Sequence, residues 1–266
     1  MADKKDFKTV EINSDMQDEI DQQIRRHRRK VVRRVITAIF VIALLFVGIQ
    51  LWSALRSYDS YEIRNKIEQQ DSGSAKYETF LGKTVEYNND GIVYRDLDNE
   101  LIWNQSFEMS TPMLSICESY LAIYDQGGTS IYIMTTTGLS KKIETSTPIS
   151  TVCVANQGTV AVLMKEDNVS TVRLYDRKGN ELANGEFYVE KGSFPIDIAL
   201  SYDAQKLAVD MLDVKEGKVS STVSFYNFGS VGQNEIDNNV GTYSYADMFI
   251  SEISYVASDR MVALSD

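Results

Sequence analysis

Residues Val35 to Leu55 form an uncharged apolar run of 21 residues, preceded by the cluster Arg25, Arg26, Arg28, Arg29 and Lys30 and then by Arg33 and Arg34. At about 1.5 Å per residue a helix of this length covers the roughly 30 Å of bilayer hydrocarbon, so the run reads as one transmembrane helix. Lys and Arg beside a span are retained on the cytoplasmic side, and the far flank offers only Arg56 at close range. The expected topology is an N-terminus in the cytoplasm and a C-terminal domain outside the cell membrane, with Trp52 as an interfacial aromatic near the outer end. A cleaved signal peptide would have a shorter apolar segment and a small-x-small cleavage site. Gly48-Ile49-Gln50-Leu51-Trp52 offers none, which favours an uncleaved, single-pass signal anchor.

The chain then divides into a tail (1–34), an anchor (35–55), a stalk (56–77) and an outer head (78–266). Net charge is +3 over the first 34 residues and −14 beyond them. An acidic head repels nucleic acid and anionic lipid surfaces, so neither is an expected ligand there. The basic run is what topology requires beside a lipid bilayer, and the anionic inner leaflet attracts it further. Ser14-Asp15-Met16-Gln17 fits a capping box, so one helix is expected from about Asp15 through the span. A tail this short holds no kinase or DNA-binding unit, so any inward signal would need a cytoplasmic partner. Ser57 to Tyr77 reads as a short helical stalk ended by Asp71-Ser72-Gly73-Ser74.

Beyond Phe80, short alternating runs rich in Tyr, Val, Ile and Thr are broken by Gly, Asn and Asp, the pattern of an all-β domain. Val93-Tyr94-Arg95-Asp96 is answered by Ile133-Met134-Thr135, Leu174-Tyr175-Asp176 and Phe225-Tyr226-Asn227, at spacings of 40, 41 and 51. A hydrophobic-Ala-hydrophobic motif alternates with it, at Leu121-Ala122-Ile123, Val160-Ala161-Val162, Leu207-Ala208-Val209 and Val262-Ala263-Leu264, at spacings of 39, 47 and 55. Two interleaved motifs at a period near 40 residues, with about four strands per unit, predict a β-propeller rather than a β-sandwich. Ser201-Tyr202-Asp203-Ala204-Gln205-Lys206-Leu207-Ala208-Val209 resembles the turn and strand of WD40-like and TolB-like propellers, with Ala204 where glycine is usual. The last repeat stops after its second motif, which suggests a propeller truncated at its C-terminus, a fragment of a longer protein.

The head holds no histidine, since the only one is His27. A Ser-His-Asp triad, a Cys-His pair and His-based metal sites are therefore excluded from it. Cys117 and Cys153 lack Cys-x-x-Cys spacing and sit in apolar strand contexts, as buried free thiols do, although a disulfide is permitted outside the cell. Asp96-Leu97-Asp98-Asn99-Glu100 invites a calcium reading, but it lacks the glycine and distal glutamate of an EF-hand. Its counterpart, Asp176-Arg177-Lys178-Gly179, carries two cations, so both read as hairpin turns. No catalytic, cofactor-binding or metal-binding residue is assigned, and no cofactor is expected. Pro195 is expected to open a strand at its first residue. Phe225, Tyr226 and Phe228 read as packing aromatics, with a ligand cage as the alternative.

Gly82 to Tyr94 is similar to quinoprotein-like (PQQ-like) propellers, but the adjacent Cys-Cys pair of that chemistry is missing and Trp103 is the only repeat-region tryptophan. The segments Gly192 to Asp203, with Pro195-Ile196-Asp197, and Phe225 to Gln233, with Tyr226-Asn227-Phe228-Gly229, resemble a family of single-pass membrane proteins of Firmicutes, chiefly clostridia. Its extracytoplasmic domain of unknown function is a PQQ-like or WD40-like propeller. The resemblance, from about Arg33 to Asp266, implies a head in the cell-wall zone and carries over no residue roles. The function expected is a non-enzymatic scaffold or binding module for an envelope protein or glycan. The alternatives are a sensor subunit that relays ligand binding to a cytoplasmic partner, and a carboxylate-based glycan hydrolase.

Overall fold

The computed structural model describes residues 14–55, 75–188, 193–215 and 217–266. One helix, α1 (Ser14–Ala54), runs without a break from the tail through the apolar segment. Its stretch His27–Ser53 is long and apolar enough to cross a membrane, and none of it is buried by protein. The expected stalk, 56–77, lies largely outside the described residues; the first strand already begins at Lys76.

The remaining unit is built of antiparallel sheets in chain order. The first sheet holds β1 (Lys76–Phe80), β2 (Lys83–Asn88), β3 (Gly91–Arg95) and β4 (Leu101–Ser106). The second holds β5 (Pro112–Cys117), β6 (Tyr120–Asp125), β7 (Ser130–Thr135) and β8 (Gly138–Glu144). The third holds β9 (Ile149–Val154), β10 (Val160–Lys165), β11 (Val169–Tyr175) and β12 (Glu181–Tyr188). The fourth holds β13 (Ser193–Leu200), β14 (Lys206–Lys215), β15 (Lys218–Asn227) and β16 (Asn239–Ala246). β17 (Ile250–Ala257) and β18 (Arg260–Ser265) form a two-stranded fifth sheet. Each four-stranded sheet is a meander whose strands lie in chain order, and the fold is propeller-like.

The cores explain the order. Phe80, Val85, Ile92 and Tyr94 of the first sheet pack on Leu121, Ile123 and Met134 of the second. Ala122, Tyr124 and Ile133 of the second pack on Val152, Val162 and Met164 of the third. Ala161, Leu163 and Leu174 meet Ile198, Leu207 and Val209 in the same way, and Ala208 and Val223 meet Ile250 and Ile253. Strands β6 and β10 are thus covered on both faces, which is why they read as continuous apolar runs rather than alternating ones. Ala122, Ala161 and Ala208 of the motif each face the following sheet, where a small side chain lets the two layers approach.

The two motifs map onto the second and third strands of each unit, with one correction. Ile133, Leu174 and Phe225 pair across the ladder with Ala122, Ala161 and Ala208. In the first sheet the residue in that place is Tyr94, paired with Val85, and not Val93. The matching letters are out of register by one, and a slip of one residue moves a side chain to the other face of a strand. Pro195 also departs from expectation. It is the third residue of β13, at a bulge between Pro195 and Asp197, where its missing N–H breaks no regular ladder bond.

Turn chemistry follows the residues. The Asp96 Oδ1 accepts the N–H of Asp98 at 3.0 Å and of Glu100 at 2.8 Å, and the Asp176 Oδ1 accepts those of Lys178 and Asn180 at 2.8 and 2.9 Å. Both acidic loops are therefore side-chain-locked hairpins. Ala204 adopts φ 54°, the left-handed conformation that glycine would take there, so the turn keeps its shape despite the substitution.

Candidate functional site

The residues expected to set the topology all lie on α1. Arg28, Arg29, Lys30, Arg33, Arg34 and Trp52 are exposed, while the side chains of Arg25 and Arg26 lie outside the described ones. Trp52 follows Arg34 by 18 residues, about 27 Å along the axis, close to the thickness of a hydrocarbon core.

Among the described residues of the head, a pocket of about 440 Å³ lies between the third and fourth sheets. Leu174, Phe187, Leu207, Tyr226 and Phe228 give it apolar surface, Asn184 and Glu186 add polar groups along β12, and Asp237 and Asn238 form its polar end. Comparison with the joint between the first two sheets shows how it arises. There Trp103, paired with Tyr94, stacks on that ring at 5.2 Å and donates its Nε1–H to the Thr136 carbonyl at 3.2 Å, and Gln105 pairs with Ile92. In the third sheet the same ladder places carry Ala183, paired with Leu174, and Gly185, paired with Val172. Tyr132 of the second sheet is matched by Ser224 of the fourth, each preceding the residue that pairs with the motif alanine. Three large side chains are thus replaced by small ones at one joint of a repeat. A Cβ built on Gly185 would meet nothing nearer than the Phe187 ring at 3.9 Å, so the glycine faces open space.

The polar end is held by an unusual turn. Asp237 (φ 54°) and its neighbour Asn238 (φ 59°) are both left-handed, and the Asn238 side chain donates to the Gly232 carbonyl at 3.1 Å. Phe187 meets Tyr226 edge-on at 6.4 Å. Burial, with a contribution from the Asp237 charge, pushes the Tyr226 phenol above its ordinary value. Of the aromatics singled out in the sequence, Tyr226 and Phe228 therefore line the pocket, whereas Phe225 packs between the fourth and fifth sheets, edge-on to Tyr243 at 5.9 Å.

Two further polar features stand near the first strands. Cys117 and Cys153 are both free thiols lining a cleft of about 160 Å³ where β5, β9, β13 and β17 converge. Burial pushes their thiols up to about 11 and about 12, so both stay protonated and unreactive at neutral pH. Asp210 is the second feature. It pairs across the ladder with Asp197, is 0% exposed, and neither carboxylate oxygen has a hydrogen-bond partner among the described residues. Asp197 accepts the Ile253 N–H at 2.9 Å. Burial, and then the Asp197 charge, push the Asp210 carboxyl up to about 7. Asp210 stands two residues after the motif alanine, where the second and third sheets have Tyr124 and Leu163. That break in the repeat was its only sequence signal. Among the described residues no group of three or more His, Cys, Asp or Glu side chains is placed to hold a metal.

Residues 54–266 match the model of the family of unknown function DUF5711. The chain belongs to this family. No curated protein matches it. Among solved structures it is similar to a variant of Kluyveromyces lactis Hsv2 whose loop 6CD is replaced by a Gly-Ser linker, at 15% identity and a TM-score of 0.52, over 74% of this chain and 64% of that one. It also resembles Kuenenia stuttgartiensis hydrazine synthase (12% identity, TM-score 0.47, 74% of this chain and 56% of that one). BamB from Moraxella catarrhalis matches at 10% identity and a TM-score of 0.38, over 63% of each chain. The chain spans less than two thirds of the length of each of these neighbours. At such identities the likeness to the Hsv2 variant speaks for a propeller-like fold and for nothing finer.

Proposed function

We propose that this protein is a single-pass, membrane-anchored binding module. Its tail faces the cytoplasm, and its propeller-like head recognises a protein or glycan of the cell envelope without turning it over. The observation that carries the reading is the pocket between the third and fourth sheets, opened by small residues where an equivalent joint of the same repeat is filled by Trp103 and Tyr132. Its lining mixes aliphatic and aromatic side chains with Asn184, Asp237 and Asn238, and a concave recess that combines apolar surface with placed polar groups is a usual form of a binding site. The apolar helix with its basic flank supports the anchor.

Cross-linking in intact cells, followed by mass spectrometry of what co-purifies with the full-length protein, tests the reading. Envelope partners should recur. Recovery of none, together with turnover of an envelope substrate by the purified protein, would sink it.

The unbroken course of α1 favours a second reading, a sensor that relays binding inward. Deleting residues 3–23 separates the two: a scaffold keeps its function, and a sensor loses it.

A further inference from the structure

We propose, resting on the binding-module reading above, that the pocket between the third and fourth sheets receives a lysine side chain presented by a protein partner. Its walls are apolar along Leu174 and Leu207, and Phe187, Tyr226 and Phe228 add aromatic surface. A lysine stem is apolar along four carbons and its head is a point charge, so one residue matches both the apolar surface and the polar end. The aromatic surface attracts a cation, and the Asp237 carboxylate borders the same pocket as a partner for the ammonium.

Among the described residues that line the pocket there is no Lys or Arg. Glu186 also borders it, but its carboxylate accepts the Tyr188 hydroxyl at 2.6 Å, two residues along the same strand. Asp237 is therefore the acid that the polar end offers. A single carboxylate suits a point charge better than a planar guanidinium, which favours two parallel acceptors. The head as a whole, at −14 beyond residue 34, attracts a basic partner over distance.

The test uses the full-length chain in detergent micelles, labelled with nitrogen-15 at its 15 glycines, with the Gly185 amide as reporter. The probes are the peptide Ac-Ala-Lys-Ala-NH2, its norleucine counterpart with a neutral stem, and glucosamine. The lysine peptide should move the Gly185 signal saturably, with the norleucine peptide about tenfold weaker, a difference of about 1.4 kcal/mol. Asp237→Asn should bring the lysine peptide down to the norleucine level, and Ala183→Trp should abolish the shift while the thermal midpoint stays near that of the parent. Equal binding of the two peptides, an unchanged titration in Asp237→Asn, or a response to glucosamine alone would overturn the assignment. Cross-linking in cells keeps the two claims apart. If the lysine peptide fails but Ala183→Trp still removes the captured partner, the lysine assignment falls and the binding-module reading stands. If the partner survives Ala183→Trp, the pocket is not the docking site and the proposal falls.

Discussion

Asp210 sits where its repeat counterparts are tyrosine and leucine, fully buried and paired across the ladder with Val223, with both carboxylate oxygens unpartnered among the described residues. Its folded pKa is raised from 3.8 to about 7, so the folded state holds a proton that the unfolded chain releases. That contribution is fully present below the unfolded value and is lost as pH rises through the folded one, so stability should fall between about pH 4 and pH 7 with a slope approaching about 1.4 kcal/mol per unit. Asp210→Asn should remove most of this slope, leaving the part due to Asp197, whose pKa is also raised by burial. Urea unfolding at a series of pH values measures it, and equal slopes in the two proteins would contradict the buried-acid account. Ala204 allows a simpler prediction. Its left-handed φ costs an L-residue about 1 kcal/mol, so Ala204→Gly should raise the unfolding free energy by about that amount. The sequence showed the missing glycine but not the backbone that Ala204 retains, because the lock is made by neighbours. The Lys206 N–H donates to the Ser201 hydroxyl at 2.9 Å, and that hydroxyl donates to Asp203 at 2.7 Å.

At the scale of strands, one motif recurs in two environments. Leu121, Ile123, Leu207 and Val209 are buried, each between its own sheet and the preceding one, whereas Val262 is 52% and Leu264 62% exposed on β18. Leu207→Ala should therefore cost about 2–5 kcal/mol, and Val262→Ala should stay within about 0.5 kcal/mol. Denaturant midpoints check both, and a large loss at Val262 would show that β18 is covered. The strand pattern was legible because hydrophobic-Ala-hydrophobic runs arise wherever a strand is buried on both faces. The register of the first sheet was not, since Val93 and Leu174 look alike as letters and only the ladder shows Tyr94 in the matching place. The pocket was equally hidden. Its cause is the absence of bulk at Ala183 and Gly185, which becomes visible only once these residues are aligned with Trp103 and Gln105.

For the whole molecule, a basic-to-apolar helix and an acidic propeller-like unit share one chain, with a net charge of +3 before residue 35 and −14 after it. The proposed orientation rests on the basic flank, since Lys and Arg beside a span stay inside, and the acidic charge of the proposed outer head would favour basic partners. The most direct test is labelling with a membrane-impermeant maleimide of Lys5→Cys and Asp167→Cys in intact cells. Cys117 and Cys153, protonated at neutral pH, give the background in the parent chain. Asp167→Cys should react in intact cells and Lys5→Cys only after the membrane is opened, both on a chain that sediments with membranes. Labelling of Lys5→Cys with Asp167→Cys protected, or recovery of a labelled head that lacks the helix, would contradict a membrane-anchored module with its head outside.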